Sequence, residues 1–267
     1  MSKPFLRWAG SKKKLLPELQ KFYNLAMGTY IEPFVGSGQL FFKLPINDAV
    51  LGDTNFDLIR TYENIRERPI DVYNELVKFP LGKEEYYKIR NQYNASADGV
   101  YNSALFLYLN TFCFNGLYRT NNSGKFNVPY SASSGTIIDK DTLCSISEYL
   151  NKAEFKVGDF ENVVLDSCKR NDFVYLDPPY AIKNRRIFNQ YGPHTFGLND
   201  IARLKRLVKE IDNRGAHFVL SYAYCEEALE LKEDWNYHIV NTVRNISGFA
   251  QHRKTESEVI ITNIKAS

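Results

Sequence analysis

Cysteine is scarce and scattered. Cys113, Cys144, Cys168 and Cys225 form no CxxC pair, and the four histidines show neither HExxH nor zinc-ligand spacing. Such a chain offers no disulfide framework and no recognisable metal site, so a reduced intracellular protein without structural metal is expected. Long hydrophobic runs are missing too. No stretch approaches the roughly 18 apolar residues that a membrane helix needs. The N-terminus runs through Pro4, Arg7 and Lys12 to Lys14 with no apolar export segment, which argues against secretion. An excess of one charge is also absent: 34 basic against 31 acidic residues leave +3, so net charge alone does not announce a nucleic-acid protein, and a local basic face would be required. Neither internal repeats nor low-complexity tracts occur.

What is present fits one large domain, or a catalytic domain carrying an insertion. A chain of 267 residues buries a sizeable core without needing an oligomer, and no obligate protein partner is inferred. Eighteen tyrosines and eighteen phenylalanines serve either base stacking or plain core packing. Tyr30 to Glu32 reads as a short strand entering a turn, Gln39 to Leu44 as the start of a helix, and Ala49 to Gly52 as a second strand ending in Asp53. Strand, glycine turn, helix, strand, acid is the order of a nucleotide-binding βαβ unit. From Phe56 to Asn110 the pattern is helical, with Tyr86, Ile89, Arg90 and Tyr93 at three- and four-residue steps. Leu117 to Tyr130 suggests a hairpin or ordered loop around Asn121-Asn122-Ser123-Gly124. Ser131 to Thr136 is the expected boundary back to an α/β region, in which Phe155 to Val157, Phe173 to Leu176 and His217 to Ser221 are strands. Leu198 to Asn213 is an amphipathic helix. Two late strands, His238 to Val243 and Glu258 to Thr262, are expected to pair antiparallel at the sheet edge.

Four constellations bear chemistry. In Glu32-Pro33-Phe34-Val35-Gly36-Ser37-Gly38, glycines after a strand let backbone N–H groups approach a ligand, although a bland tight turn would read the same. Asp53 ends the next strand, where an acid accepts ribose hydroxyls; a helix N-cap at Asp53 or Asn55 is the alternative. Asp177-Pro178-Pro179-Tyr180 follows an apolar strand and is the most specific signal. Two prolines fix the backbone and remove two N–H donors, leaving carbonyl acceptors and a rigidly placed carboxylate. An exocyclic adenine amine needs such acceptors, because its lone pair is delocalised into the ring until its N–H bonds are held; Tyr180 adds a stacking face. A plain Pro-Pro strand terminator is the competing interpretation. Finally, Asn115-Gly116-Leu117-Tyr118-Arg119 with Gly124-Lys125-Phe126-Asn127-Val128-Pro129-Tyr130 offers an arginine for guanine O6 and N7, or an ordinary surface arginine.

Together with Phe5-Leu6-Arg7-Trp8-Ala9-Gly10-Ser11-Lys12, these motifs resemble, in order and over nearly the whole chain, the Dam-type (class alpha) DNA adenine-N6 methyltransferases. The resemblance implies an α/β fold, a Rossmann-like S-adenosylmethionine methyltransferase sheet formed by residues 1–55 and 136–267. It also implies a helical target-recognition insertion with a β-hairpin over 56–135. It implies cofactor contacts from Trp8, Ala9, Gly10, Lys12, Glu32, Pro33, Phe34, Gly36, Ser37, Gly38, Asp53 and Asp177, with Asp159 and Phe160 beside the adenine ring. The catalytic residues it implies are Asp177, Pro178, Pro179 and Tyr180. Double-stranded DNA is the implied partner, met by Arg7, Phe114, Asn115, Leu117, Arg119, Asn127 and Pro129, with Arg244, Arg253 and Lys254 on a closing hairpin at the phosphates. Many members read sequences containing GATC. Ser11 stands where glycine is common and Phe114 where tyrosine is frequent; both bear on the target and neither on catalysis. The implied reaction is direct methyl transfer to a flipped-out adenine without metal, leaving S-adenosylhomocysteine as product, in the cytoplasm of a bacterium or a phage-infected host. An RNA or protein-amide methyltransferase would share the acidic-Pro-Pro-aromatic logic without the Asn-Gly-Leu-x-Arg segment, and Asp177 rather than serine argues against cytosine-N4 transfer.

Overall fold

A computed structural model describes residues 3–10, 12–132, 135–180, 196–232, 235–245 and 253–264; for 242–245 and 253–256 it describes the backbone alone. Among the described residues seven strands form one sheet: β1 (Tyr30–Glu32), β2 (Ala49–Asp53), β3 (Ala153–Val157), β4 (Phe173–Leu176), β5 (His217–Ala223), β6 (Asn236–Asn245) and β7 (Arg253–Thr262). Their order is β3-β2-β1-β4-β5-β7-β6. The first five run parallel, while β7 is antiparallel to both β5 and β6. The two late strands pair antiparallel as the sequence predicts, but the last one turns inward, between β5 and β6.

Strand alternation divides the core in two. Tyr30, Leu51, Phe173, Tyr175, Val219 and Ile260 face one side, and Ile31, Val50, Val174, Leu176, Phe218 and Leu220 the other. Both faces are covered, so β4 is buried throughout and its sequence is an unbroken apolar run. The second face is closed by α7 (Phe160–Ser167), α8 (Leu198–Asn213) and α9 (Glu226–Lys232). The α8 stripe Ile201, Leu204, Leu207, Val208 and Ile211 supplies the helical-period contact.

On the first face, the one-turn α1 (Leu16–Leu19) buries Leu16 and Leu19, and α2 (Phe56–Glu67) starts at an Asn55 cap whose side chain accepts from the Leu58 N–H at 3.0 Å. It packs against β2 and β3 and also against α3 (Pro69–Leu76), α5 (Val100–Phe112) and α6 (Lys140–Leu150). Residues 102–110 of α5 are all buried, because this helix lies among α2, α3 and α4 (Lys83–Tyr93). Among the described residues no helix is long and apolar enough to cross a membrane, and all four cysteines are free.

One expected element differs. In place of a helix over Gln39 to Leu44 there is a single 3-10 turn, Phe41–Lys43. Pro45 accounts for this: the residue before proline is driven from helical geometry, and Leu44 is extended at φ −90°, ψ 151°. Leu117 to Tyr130, expected as a hairpin or an ordered loop, is an ordered loop with isolated bridges Thr120 to Phe126 and Cys113 to Tyr130. Its tip is closed by the Asn121 side chain, which accepts from the N–H groups of Ser123 and Lys125 at 3.0 Å each.

Candidate active site

In a doubly wound sheet ligands sit beyond the carboxyl ends of the strands where the strand order reverses. Here that place lies between β1 and β4, and the Glu32 to Gly38 turn and Asp177 leave those two strands side by side.

The turn is tight and held from three sides. Gly36 and Gly38 have φ of +46° and +61°, a conformation that only glycine adopts without strain. Gly36 donates its N–H to Asp53 at 3.2 Å, and its carbonyl accepts the Tyr62 hydroxyl at 2.9 Å. A Cβ at Gly36 would lie 2.7 Å from the Trp8 ring, so the indole rests on the turn itself. Ser37 is buried, and Glu32 is buried with the Tyr30 hydroxyl donating to it at 2.9 Å. Burial pushes the Glu32 carboxyl well above the usual carboxylate range.

Asp53 ends β2 opposite the turn. Its carboxylate also accepts the Asn55 N–H at 3.0 Å, and Asn55, not Asp53, caps α2. Burial pushes the Asp53 pKa up to about 6 against these backbone hydrogen bonds. Past β3, Asp159 caps α7 and pairs with Arg203. Phe160 stacks on Phe34 with ring centroids 5.1 Å apart. A glycine cradle, a carboxylate at the second strand and a pair of aromatic rings fit a nucleoside bearing a charged tail, which is the shape of S-adenosylmethionine.

Asp177 is held by residues distant in sequence. Lys12 Nζ lies 2.8 Å from its Oδ1 and 3.3 Å from the Gly10 carbonyl. Ser221 on β5 donates to the same Oδ1 at 3.0 Å and stands 3.0 Å from the Tyr175 hydroxyl. Lys12 is buried, and its ammonium sits 4.8 Å from the centroid of the Tyr180 ring. Tyr180 packs on Tyr222 with centroids 4.9 Å apart. Burial raises the Asp177 pKa, with Lys12 opposing. Burial lowers the proton affinity of Lys12, but Asp177, Tyr180 and Glu258 outweigh it and hold the ammonium above its ordinary range. Ser221, Tyr175 and Glu258 carry no sequence motif. Their alternation in strands is legible, but not the neighbour each one meets.

The N-terminal segment ties this cleft to the loop after α5. Trp8 stacks on Tyr118, centroids 5.6 Å and planes 19° apart. The Arg7 backbone exchanges hydrogen bonds with the Asn110 side chain at 2.9 and 2.7 Å, and its guanidinium donates to the Thr111 carbonyl at 3.1 Å. A Cβ at Gly116 would lie 2.2 Å from Arg7 Cβ. Arg7, Phe114, Asn115, Arg119 and Pro129 are exposed, with Leu117 and Asn127 partly buried. Arg119 Nε donates to Asn127 at 2.7 Å, and the Phe114 N–H to the Pro129 carbonyl at 2.9 Å. The structure thus gathers Phe114, Asn115, Leu117, Arg119, Asn127 and Pro129 on one loop with Arg7 against it at Gly116, and the turn, Trp8, Asp53 and Asp177 around one cleft. For Arg244, Arg253 and Lys254 only the backbone is described: Arg244 pairs with Lys254, and Asn245 with Arg253.

Comparison with known proteins is consistent with this geometry. Residues 8–246 match the family model described as D12 class N6 adenine-specific DNA methyltransferase. The type II methyltransferase M1.LlaDCHI of Lactococcus lactis subsp. cremoris is 35% identical over 274 residues, covering 98% of this chain and 95% of its own. The type II methyltransferase M.MjaIII of Methanocaldococcus jannaschii is 34% identical over 94% of this chain and 95% of its own, and a DNA adenine methylase of Haemophilus influenzae 32% identical over 97% and 92%. A match over this span, with the motifs assembled in one cleft, places the chain in the D12 class N6 adenine-specific DNA methyltransferase family.

Proposed function

We propose that this adenine-specific DNA methyltransferase acts on an adenine flipped out of a DNA duplex, within GATC or a related sequence. The observation that carries the reading is the half-buried Asp177 carboxylate, fixed by Lys12 and Ser221 at the carboxyl end of β4 immediately before Pro178-Pro179-Tyr180. Asp177 and the Pro178 carbonyl accept the two N6–H bonds, which draws the nitrogen lone pair out of the ring. Pro179 stiffens the segment, and Tyr180 offers the stacking face that offsets unpairing, a cost of a few kcal/mol. When bound, S-adenosylmethionine supplies a methyl on an activated sulfonium. Asp53 holds the ribose hydroxyls, the backbone of Phe34 to Gly38 lies along the cofactor with Glu32, Pro33, Ala9 and Gly10 around it, and Lys12 reaches the carboxylate end. Phe160 and Asp159 border the adenine, and Trp8 borders the sulfonium. Residues 56–135 form the recognition unit: Arg119 reads a guanine, Arg7 contacts the first base, and Phe114, Asn115, Leu117, Asn127 and Pro129 line the opened duplex. Arg244, Arg253 and Lys254 meet phosphates. The cytoplasm is the proposed compartment, since the DNA substrate lies there.

The test is transfer of labelled methyl from S-adenosylmethionine to duplexes with and without GATC, with N6-methyladenine identified in the digest. Label confined to GATC duplexes is the expected result. Label at adenine in other duplexes would remove the target sequence, and equal label in single strands would remove the flipping step.

A further inference from the structure

Arg203 stands in the second turn of α8, where Ile201 and Leu204 on either side of it enter the core. Its guanidinium is shared among three carboxylates, one nitrogen to each. Nε donates to Glu161 at 2.9 Å and Nη1 to Asp200 at 2.9 Å, while Nη2 donates to Asp159. The group also lies over the Phe160 ring, with Cζ 4.7 Å from the centroid. Phe160 stacks on Phe34, and Phe196, just before α8, meets these two rings at centroid distances of 6.0 and 6.2 Å. One side chain thus touches both Asp159 and Phe160, the residues proposed above to border the cofactor adenine. The contact divides the Asp159 carboxylate. Oδ1 accepts the Glu161 N–H at 3.0 Å, as the cap of α7, and Arg203 Nη2 as well, whereas Oδ2 has no hydrogen-bond partner among the described residues.

We propose that Arg203 is a positioning residue for the cofactor: it fixes the Asp159 carboxylate so that Oδ2 accepts the 6-amino group of the S-adenosylmethionine adenine, and it thereby sets the preference for adenine over a purine lacking that group. The inference rests on the cofactor site proposed above. An isolated pair of solvated charges orders little. Here the guanidinium is planar and spent on three acceptors at once, and the Asp159 oxygen it holds is tied to a helix N-terminus as well, so rotation of the carboxylate is restrained from two directions. Without Arg203, three negative charges face one another with no cation between them, and Asp159 turns toward water. Because each of its three nitrogens already serves a carboxylate, Arg203 acts through Asp159, and through Phe160 by its cover of the ring, rather than on the adenine itself.

The test compares, by calorimetry, the binding of S-adenosylhomocysteine and of its analogue with purine in place of adenine, which lacks the 6-amino group alone. The wild-type protein should prefer the adenine compound by roughly 10- to 100-fold, the scale of a hydrogen bond to a charged acceptor. In Arg203→Met this preference should fall below about threefold, and in Asp159→Ser, which keeps a capping side chain for α7, it should vanish. The double variant should lose no more than Asp159→Ser alone, because both changes act on one acceptor. A wild-type preference in Arg203→Met, with affinity for both compounds unchanged or reduced alike, would overturn the proposal, since a merely structural role lowers the two together. Where Arg203→Met does not fold, as read by thermal melting, Arg203→Lys decides by the same ratio, because one ammonium cannot serve three carboxylates in this geometry. No preference in the wild-type protein sinks the placement of adenine beside Asp159 and the role of Arg203 with it, whereas a preference lost in Asp159→Ser but kept in Arg203→Met sinks only the inference about Arg203.

Discussion

The cleft and the loop after α5 are built to opposite specifications from similar parts. Each has a turn with glycine at positive φ, Gly36 in one and Gly116 in the other, and each glycine lies under a residue of the N-terminal segment, Trp8 and Arg7 respectively. Around Gly36 the polar groups are spent inward, on Asp53 and Tyr62. Around Gly116 the backbone is fixed by Pro129 and Arg7 while Phe114, Asn115 and Arg119 stand exposed. Chemistry needs groups preorganised by their surroundings, and readout needs groups offered to a partner from a stiff backbone.

The sharpest way to break the contrast is at Asp177. Asp177→Ala should lower methyl transfer by at least about 10²- to 10³-fold, the scale of a lost preorganised electrostatic partner, while leaving cofactor binding measurable by calorimetry. Next comes a paired glycine experiment. Gly36→Ala places a Cβ 2.7 Å from the Trp8 ring at φ +46°, whereas Gly124→Ala, at the loop tip, meets nothing within 4 Å at φ +73°. Both carry the left-handed cost of about 1–2 kcal/mol, but only Gly36→Ala should also displace Trp8 and weaken cofactor affinity; urea melts and titrations of the two variants separate the terms.

Arg119→Ala tests the other region. It should relax preference among single-base variants of the site by about 1–3 kcal/mol and spare cofactor affinity, and an unchanged preference would remove Arg119 from the readout. The smallest effect concerns Asp53. Its pKa is raised to about 6 in the folded protein, so the stability it contributes is present below the ordinary carboxylate pKa and is lost as pH rises through 6. A carboxylate serving as ribose acceptor works best when ionised, so cofactor affinity should weaken as pH falls below about 6. Asp53→Asn should flatten both dependences, as melts and titrations across pH 4 to 8 would report.

What the sequence made legible was local. The Asp-Pro-Pro-Tyr segment, the glycine turn and the strands before them carry their chemistry within a few residues, and all lie where alternation and turn signals put them. Gln39 to Leu44 misled because an apolar periodic run outweighs a single proline in reading periodicity, whereas Pro45 outweighs the run in the chain. Ser221 and Tyr175 are different in kind. Alternation gives their side of the sheet, but Ser221 meets Asp177 from 44 positions away, through a strand register that no single strand encodes. Lys12 was legible as a basic group near the cofactor segment; its contact with Asp177 depends on the reach of a long side chain.

The inward turn of the last strand imposes an order of events on folding. β6 has no place in the sheet until β7 lies against β5, so residues 236–245 wait on residues 253–262, made after them. Until then the β5 edge, with Ser221 on it, is an open template for other strands. During synthesis from the N-terminal end, the parallel core can assemble early, but protection of the β5 edge from pairing arrives only with β7.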